Sequence, residues 1–246
     1  LSAPHRGQAT DFLHLQDGTT LTYADFVNLA GRYAAALHDL GISPGDRVAV
    51  HVQKSADALA LYAACLQSGA VYLPLNTAYT ATELAYFIAD SEAALFVCDP
   101  SETEEVTPIA EQNGAILRTM NASGAGTLRD EAVKRSVRTE VVARDADDIA
   151  ALLYTSGTTG RSKGAILTHR NLLSNAESLV EIWRFTDRDV LLHALPIFHS
   201  HGLFVASNVT LLAGGAMIWL PSSARSWKLS KAICLSSSAR KKLPRW

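Results

Sequence analysis

Between Phe12 and Leu117, short β-branched runs alternate with amphipathic stretches, a pattern that few folds accept. Phe12 to Leu21 reads as a hairpin turning at Asp17-Gly18, where glycine supplies the positive φ of a tight turn. Thr22 and Asp25 form a capping pair. The helix they open carries Phe26, Leu29, Tyr33, Ala34 and Leu37 on one face and ends at Gly41. Pro44-Gly45-Asp46 turns the chain into a strand with Val48, Val50 and Val52 on one side. Ser55 caps a second helix running to Gly69, and Val71 to Leu75 is a strand. Thr80 and Glu83 open a third helix, Ala94 to Val97 is a strand, and Ser101 to Asn113 then Ala115 to Leu117 repeat the alternation. Strands joined through helices pair in parallel, because the connection must carry the chain back to the starting edge of the sheet. The pattern predicts an α/β fold of layered sheets with flanking helices. Asn121 to Gly126 and Arg144 to Asp148 read as surface connections.

The run Tyr154 to Gly164, Y-T-S-G-T-T-G-R-S-K-G, carries the chemistry. It holds three glycines, four Ser or Thr hydroxyls ahead of Ser162, and the cations Arg161 and Lys163 in eleven positions. Glycines let backbone N–H groups converge on a ligand, and hydroxyls and cations add donors and charge, which suits a polyphosphate. A flexible linker needs no lysine and lacks apolar flanks. Here Ile149 to Leu153 precedes the run and Ala165 to Leu167 follows it, both reading as buried strands. A Walker A loop is excluded, because Ser162 stands where its second glycine belongs and Gly164 where its Ser or Thr would hold magnesium. The loop therefore joins two strands, and the next helix starts at about Asn171.

A second cluster overlaps the end of a strand at Val190 to Leu195: His193, Phe198, His199 and His201 around Pro196. An H-x-H pair suits zinc, yet no fourth ligand stands at a plausible spacing. The apolar stretch Leu203 to Leu220 is broken by Ser207, Asn208, Thr210 and Gly214-Gly215, so it reads as a helix, a glycine turn and a buried strand, not a membrane span. A net charge of −2 gives no drive towards nucleic acid or anionic lipid. Three widely separated cysteines show neither disulfide nor metal spacing, which suits a reducing, cytoplasmic compartment. From Pro221 onward seven Lys or Arg and seven Ser occur with no acid, unlike the rest of the chain, and residues 221–246 are expected to be a disordered basic tail.

The phosphate-loop run, with P-I-F-H-S-H-G at 196–202, L-T-Y-A-D-F at 21–26, G-D-R-V-A-V at 45–50 and G-A-V-Y-L-P-L-N at 69–76, resembles the adenylate-forming acyl-CoA synthetases. That superfamily also contains firefly luciferase and peptide-synthetase adenylation domains. Within it, L-P-L-N-T-A-Y-T at 73–80, W-R-F-T at 183–186 and the run 193–210 are most similar to malonyl-CoA synthetases. The resemblance covers about residues 10–220, so 1–220 is expected to be a partial N-terminal adenylation domain. The family's later motifs, including its adenine-binding strand, acidic magnesium residue and lid lysine, have no counterpart here, which implies a truncated or frame-shifted product inactive by itself.

The resemblance implies an acid–thiol ligase that uses ATP, Mg2+ and coenzyme A on a small carboxylic acid, malonate or methylmalonate, with acetate, fatty or aromatic acids as alternatives. It assigns Thr155, Ser156, Gly157, Thr158, Thr159, Gly160, Arg161, Ser162 and Lys163 to ATP, with the Thr155 hydroxyl also meeting Mg2+. It assigns Phe198, His199 and His201 to the acyl pocket, where a cationic or donor-rich histidine favours a small diacid. The residues themselves leave a non-catalytic nucleotide-binding fragment open. Cys65 reads as core, Asp46-Arg47 as turn chemistry, and Glu102, Glu104 and Glu105 as a solvated helix end.

Overall fold

The alternation of apolar runs and capped helices builds two sheets in a computed structural model that describes residues 7–155, 162–221 and 234–235. These residues fall into two units, one of 28–170 and one combining 1–27 with 171–246.

The 28–170 unit holds a six-stranded sheet of β3 (Arg47–His51), β4 (Val71–Pro74), β5 (Ala93–Cys98), β6 (Ile116–Thr119), β7 (Ile149–Thr155) and β8 (Lys163–Thr168). Their spatial order is β6-β5-β3-β4-β7-β8, parallel except for the antiparallel pair β7–β8. The helices α2 (Ala56–Ser68), α3 (Ala81–Ser91) and α4 (Thr103–Gln112) return the chain between successive parallel strands. Each start is written in the sequence. Ser55 Oγ accepts the Ala58 amide at 3.0 Å. Thr80 and Glu83 form a reciprocal box, with Thr80 N–H donating to Glu83 Oε2 at 2.8 Å and Glu83 N–H to Thr80 Oγ1 at 3.4 Å. Gly69 closes α2 at φ 72, where a Cβ is strained.

Residues 48–51 of β3 are all buried, so the expected one-sided alternation gives way to a strand covered on both faces, as parallel sheets require. One core cluster unites Leu73, Leu84, Phe87, Ile88, Phe96 and Val106 with the partly buried Tyr79, Tyr86, Leu152 and Tyr154. The expectation of a buried strand at Ala165 to Leu167 is corrected: Lys163 to Ile166 are exposed, and Ile166 is 57% exposed. Among the described residues β8 is the sheet's edge strand and pairs only with β7, so apolar content there does not mean burial. The acidic cluster also differs from expectation. Glu102 Oε2 lies 2.9 Å from Nδ1 of the buried His51, so Glu102 is a partner of the core's edge and not only a solvated charge. Arg47 does more than shape its turn, donating to the Ser91 and Glu92 carbonyls and pairing with the Glu92 carboxylate.

The other unit has a five-stranded sheet of order β11-β9-β10-β1-β2, from β1 (Asp11–Leu15), β2 (Thr20–Thr22), β9 (Val190–His193), β10 (Ala216–Trp219) and β11 (Cys234–Leu235). The β1–β2 hairpin turns at Asp17-Gly18 as read, with Gly18 at φ 86. Thr22 and Asp25 cap α1 (Tyr23–Asp39) by mutual bonds of 3.0 and 3.1 Å. Tyr23, Phe12 and Phe26 stack in its core. After α6 (His169–Trp183) and β9, a π-helical segment (His201–Ser207) runs into α7 (Asn208–Ala213), and Gly214 turns the chain into β10. Leu203 to Leu220 is thus helix, turn and strand. Among the described residues no helix is long and apolar enough to cross a membrane. Of the basic tail, Pro221 and Cys234–Leu235 are described, the latter pairing antiparallel with β9; the rest lies outside the described residues.

Candidate active site

The phosphate-loop run sits where it was expected to sit, between two strands. β7 and β8 pair in continuous antiparallel register from Leu152↔Ile166 to Thr155↔Lys163, and helix α6 begins only after β8, at His169. Ser156, Gly157, Thr158, Thr159, Gly160 and Arg161 lie outside the described residues, so their assignment to ATP rests on the sequence. Thr155, Ser162 and Lys163 are described and form the two stems. Among the described residues the exposed Thr155 hydroxyl makes one long bond, 3.5 Å to the Lys163 carbonyl, which another oxygen-seeking partner can displace. Lys163 is exposed, and among the described residues no carboxylate lies within 4 Å of its ammonium group. A hydroxyl and an unpaired cation on facing strand ends fit a magnesium–polyphosphate group, one as a hard oxygen ligand and the other as a point charge.

Both stems rest on α3. The Tyr154 hydroxyl donates to Asp90 Oδ2 at 2.6 Å, and the Tyr86 hydroxyl donates to the Ser162 carbonyl at 3.0 Å. The rings of Phe87 and Tyr154 pack at 4.4 Å, and Tyr86 meets Tyr154 edge-on at 6.1 Å. Burial, with the Asp90 carboxylate beside it, pushes the Tyr154 phenol well up, so it stays a donor across the ordinary pH range. Sequence reading missed Tyr86 and Asp90. Their i,i+4 spacing marks a shared helix face, but nothing in the sequence ties that face to Ser162.

In the other unit, the histidine cluster divides. His193 is buried and packs against Trp219 at 4.6 Å, its Nε2 lying 2.9 Å from the Gly202 carbonyl and 3.2 Å from Ser207 Oγ. It therefore belongs to the core. His201 lines a cavity of about 380 Å³ with Trp183, Phe185, Leu191, Leu195, Val205 and two further apolar residues. Phe198 and His199 are not among its lining residues and meet edge-on at 4.5 Å. Partial burial first, and His201 second, hold the His199 imidazole below its ordinary pKa. At neutral pH this ring is an uncharged donor–acceptor, which weakens the cationic half of the expectation. Gly202 is obligatory here, because a Cβ would overlap the Pro196 carbonyl. Among the described residues no cluster of three or more His, Cys, Asp or Glu is arranged to hold a metal.

The AMP-binding enzyme family profile matches residues 2–236. The chain belongs to that family. A feruloyl-CoA synthase of Amycolatopsis is 39% identical over 82% of this chain and 39% of its own length. A mitochondrial malonate–CoA ligase of Xenopus laevis is 38% identical over 63% of this chain and 26% of its own length. Among solved structures, ATP-bound MatB from Rhodopseudomonas palustris is 51% identical and superposes with a TM-score of 0.86 over 94% of this chain and 45% of that one. The chain spans less than half the length of each of these proteins. The layered α/β fold and the acyl-CoA synthetase likeness read from the phosphate loop both agree with these matches.

Proposed function

We propose that this chain supplies the nucleotide-phosphate site of an ATP-dependent acid–thiol ligase that activates a small carboxylic acid, with malonate or methylmalonate preferred. The observation that carries the reading is the loop itself. Its Thr155 and Lys163 stems face each other at the loop end of the β7–β8 hairpin, where the hydroxyl and the ammonium can turn towards phosphate. A carboxylate is a poor acyl donor because its oxygen leaves badly. In the first step a carboxylate oxygen attacks the α-phosphorus of ATP, the bond to the β-phosphate oxygen breaks, and pyrophosphate departs with its electron pair. The resulting acyl-adenylate has a good leaving group, AMP, which the thiol sulfur of coenzyme A then displaces.

No protein nucleophile is needed, so the protein acts by holding the β- and γ-phosphates and offsetting their charge. Lys163 does this directly, and residues 156–161 add amides and hydroxyls. Mg2+, when bound, would offset phosphate charge, and the Thr155 hydroxyl is the group that would hold it. On the acid side, the His201 cavity is apolar, and among the described residues its lining includes no Lys or Arg. Malonate is favoured by the malonate–CoA ligase and MatB likenesses, whereas the cavity's character favours an aromatic acid, the kind of substrate named for the feruloyl relative. Phe198 and His199, which the resemblance assigns to the acyl pocket, lie outside this lining, so His201 is the residue we assign to orienting the carboxylate.

The reading treats 1–220 as part of an N-terminal adenylation domain and 221–246 as a basic tail. The free buried Cys65 and Cys98 support a reducing, cytoplasmic setting.

The test joins residues 1–220 to the matching remainder of MatB and measures acid-dependent exchange of labelled pyrophosphate into ATP. Exchange with malonate above that with acetate, ferulate or a fatty acid, lost on Lys163→Ala, is the expected result. Undiminished exchange in Lys163→Ala rejects the loop assignment, and ferulate outrunning malonate rejects the preferred acid.

A further inference from the structure

The two stems of the phosphate loop are not held by β-pairing alone. We propose that α3 is a two-point anchor for this loop, with Tyr86 and the Asp90–Tyr154 pair as positioning residues that fix the direction of both stems. The proposal rests on the ATP reading above for its purpose but not for its geometry.

On the incoming strand, Tyr154 immediately precedes Thr155, and its hydroxyl is bonded to Asp90 at 2.6 Å. On the outgoing strand, Ser162 immediately precedes Lys163, and its carbonyl is bonded by the Tyr86 hydroxyl at 3.0 Å. A peptide unit is planar, so fixing the Ser162 carbonyl also fixes the Lys163 N–H that points the opposite way. Tyr86 therefore sets the plane from which the Lys163 side chain departs. Residues 86 and 90 stand one helical turn apart, about 6 Å along the axis, close to the spacing of roughly 4.8 Å between paired strands. One face of one helix can thus reach both stems.

The anchor is itself fixed. The α3 start is closed by the Thr80–Glu83 box, and Leu84, Phe87 and Ile88 are buried in the core cluster. The Phe87 ring fills the space beneath Tyr154 at 4.4 Å, so the Tyr154 hydroxyl cannot swing from Asp90 without displacing a core aromatic. On the loop side, Gly164 faces Tyr154 across the hairpin. A Cβ at Gly164 would lie 3.6 Å from the Tyr154 ring, ordinary contact distance, so the ring covers the pair without crowding it. The positions facing ligand, Thr155 and Lys163, keep their side chains exposed while their neighbours are pinned.

The experiment uses Tyr86→Phe and Tyr154→Phe in the whole 246-residue chain, each removing one hydroxyl and keeping the ring. Hydrogen exchange of amides 155–163 is followed without nucleotide, and the dissociation constant for magnesium ATP is measured by calorimetry. Tyr86→Phe is expected to speed exchange within 155–163 about 2- to 13-fold, and Tyr154→Phe, which loses a bond to a carboxylate, about 13- to 160-fold. ATP affinity is expected to fall by a similar factor, with the urea midpoint lowered by no more than the same free energy. A purely structural role would speed exchange throughout the sheet and leave the affinity of the folded fraction unchanged. Unaltered exchange in 155–163 overturns the anchor, and altered exchange with unaltered ATP affinity overturns its positioning role. If the wild-type chain alone binds no ATP, the affinity comparison is made in residues 1–220 joined to the matching remainder of MatB. Absence of binding there sinks the functional reading, and the exchange measurement still decides whether α3 anchors the loop.

Discussion

Replacing Gly124 by alanine is expected to destabilise the 28–170 unit far more than the same change at Gly41. Both glycines have nearly equal backbone angles, φ 84 and φ 79, so the left-handed penalty of about 1–2 kcal/mol is common to the two. They differ in their surroundings. A Cβ at Gly41 meets nothing within 4 Å, whereas one at Gly124 would overlap the Asp57 carboxylate and lie 2.7 Å from the Asp57 Cβ. Asp57 is 6% exposed in the first turn of α2 and cannot move freely. Its Oδ1 accepts the Tyr33 hydroxyl at 2.8 Å and lies 3.5 Å from Arg129 Nε. The loop cannot retreat either, because Asn121 Oδ1 accepts the amides of Ser123 and Ala125 at 2.9 and 3.0 Å. Displacing the carboxylate removes a hydrogen bond to a buried acid, about 1.5–3 kcal/mol. Added to the backbone term, the expected cost at Gly124 is about 3–5 kcal/mol, against about 1–2 kcal/mol at Gly41. Urea unfolding at constant m-value measures both, and the corresponding loss of thermal midpoint for Gly124→Ala is about 6–20 °C. In an Asp57→Gly background both the carboxylate and the Cβ that obstruct the site are gone, and the Gly124→Ala cost should fall to the Gly41 value. Equal costs for Gly41→Ala and Gly124→Ala in the wild-type background would refute the reasoning.

Burial pushes the Lys54 ammonium down to about 6, so between that value and 10.5 the unfolded chain binds the extra proton and stability rises with pH. Lys54→Met should flatten that rise, as read by urea midpoints at pH 6, 8 and 10; an unchanged slope contradicts it. Ile166 is exposed on the edge strand β8, so Ile166→Lys should reduce self-association in light scattering at a stability cost within about 0.5 kcal/mol. Persistence of the same oligomers would show that this edge does not mediate them. Proton NMR should place the His199 midpoint below 6.5, with His201→Gln moving it only part of the way back because burial is the larger cause. A midpoint at or above 6.5 is the failing outcome.

Local chemistry was readable where it is complete within a few residues. Thr80 with Glu83, Ser55, the Thr22–Asp25 pair and the Asp17-Gly18 turn each specify a start or a reversal from their own side chains, and each forms as read. The hairpin setting of the phosphate loop was readable for the same reason, from apolar runs on both sides of it. What escaped depends on distant partners. The exposure of Ile166 follows from β8 lying at the sheet's edge, and strand order is not encoded in a strand's own composition. The pairing of Glu102 with His51, and of Tyr86 with Ser162, joins residues 51 and 76 positions apart. The histidines divided because Pro196 and the π-helical segment turn the chain between them, sending His193 into the core and His201 to the cavity.

The hairpin setting of the loop has a consequence for ionic behaviour. Many nucleotide sites borrow the partial positive charge at a helix's amino end, an effect confined to its first turn. Here six residues of β8, about 20 Å of extended chain, separate the loop from the start of α6, so that macrodipole lies too far along the chain to help. On the proposed reading, the countercharge for a triphosphate comes from Lys163, from the loop's own amides and from dissolved cations, without the α6 dipole. Occupancy should therefore respond steeply to ionic strength and to the supply of divalent ions.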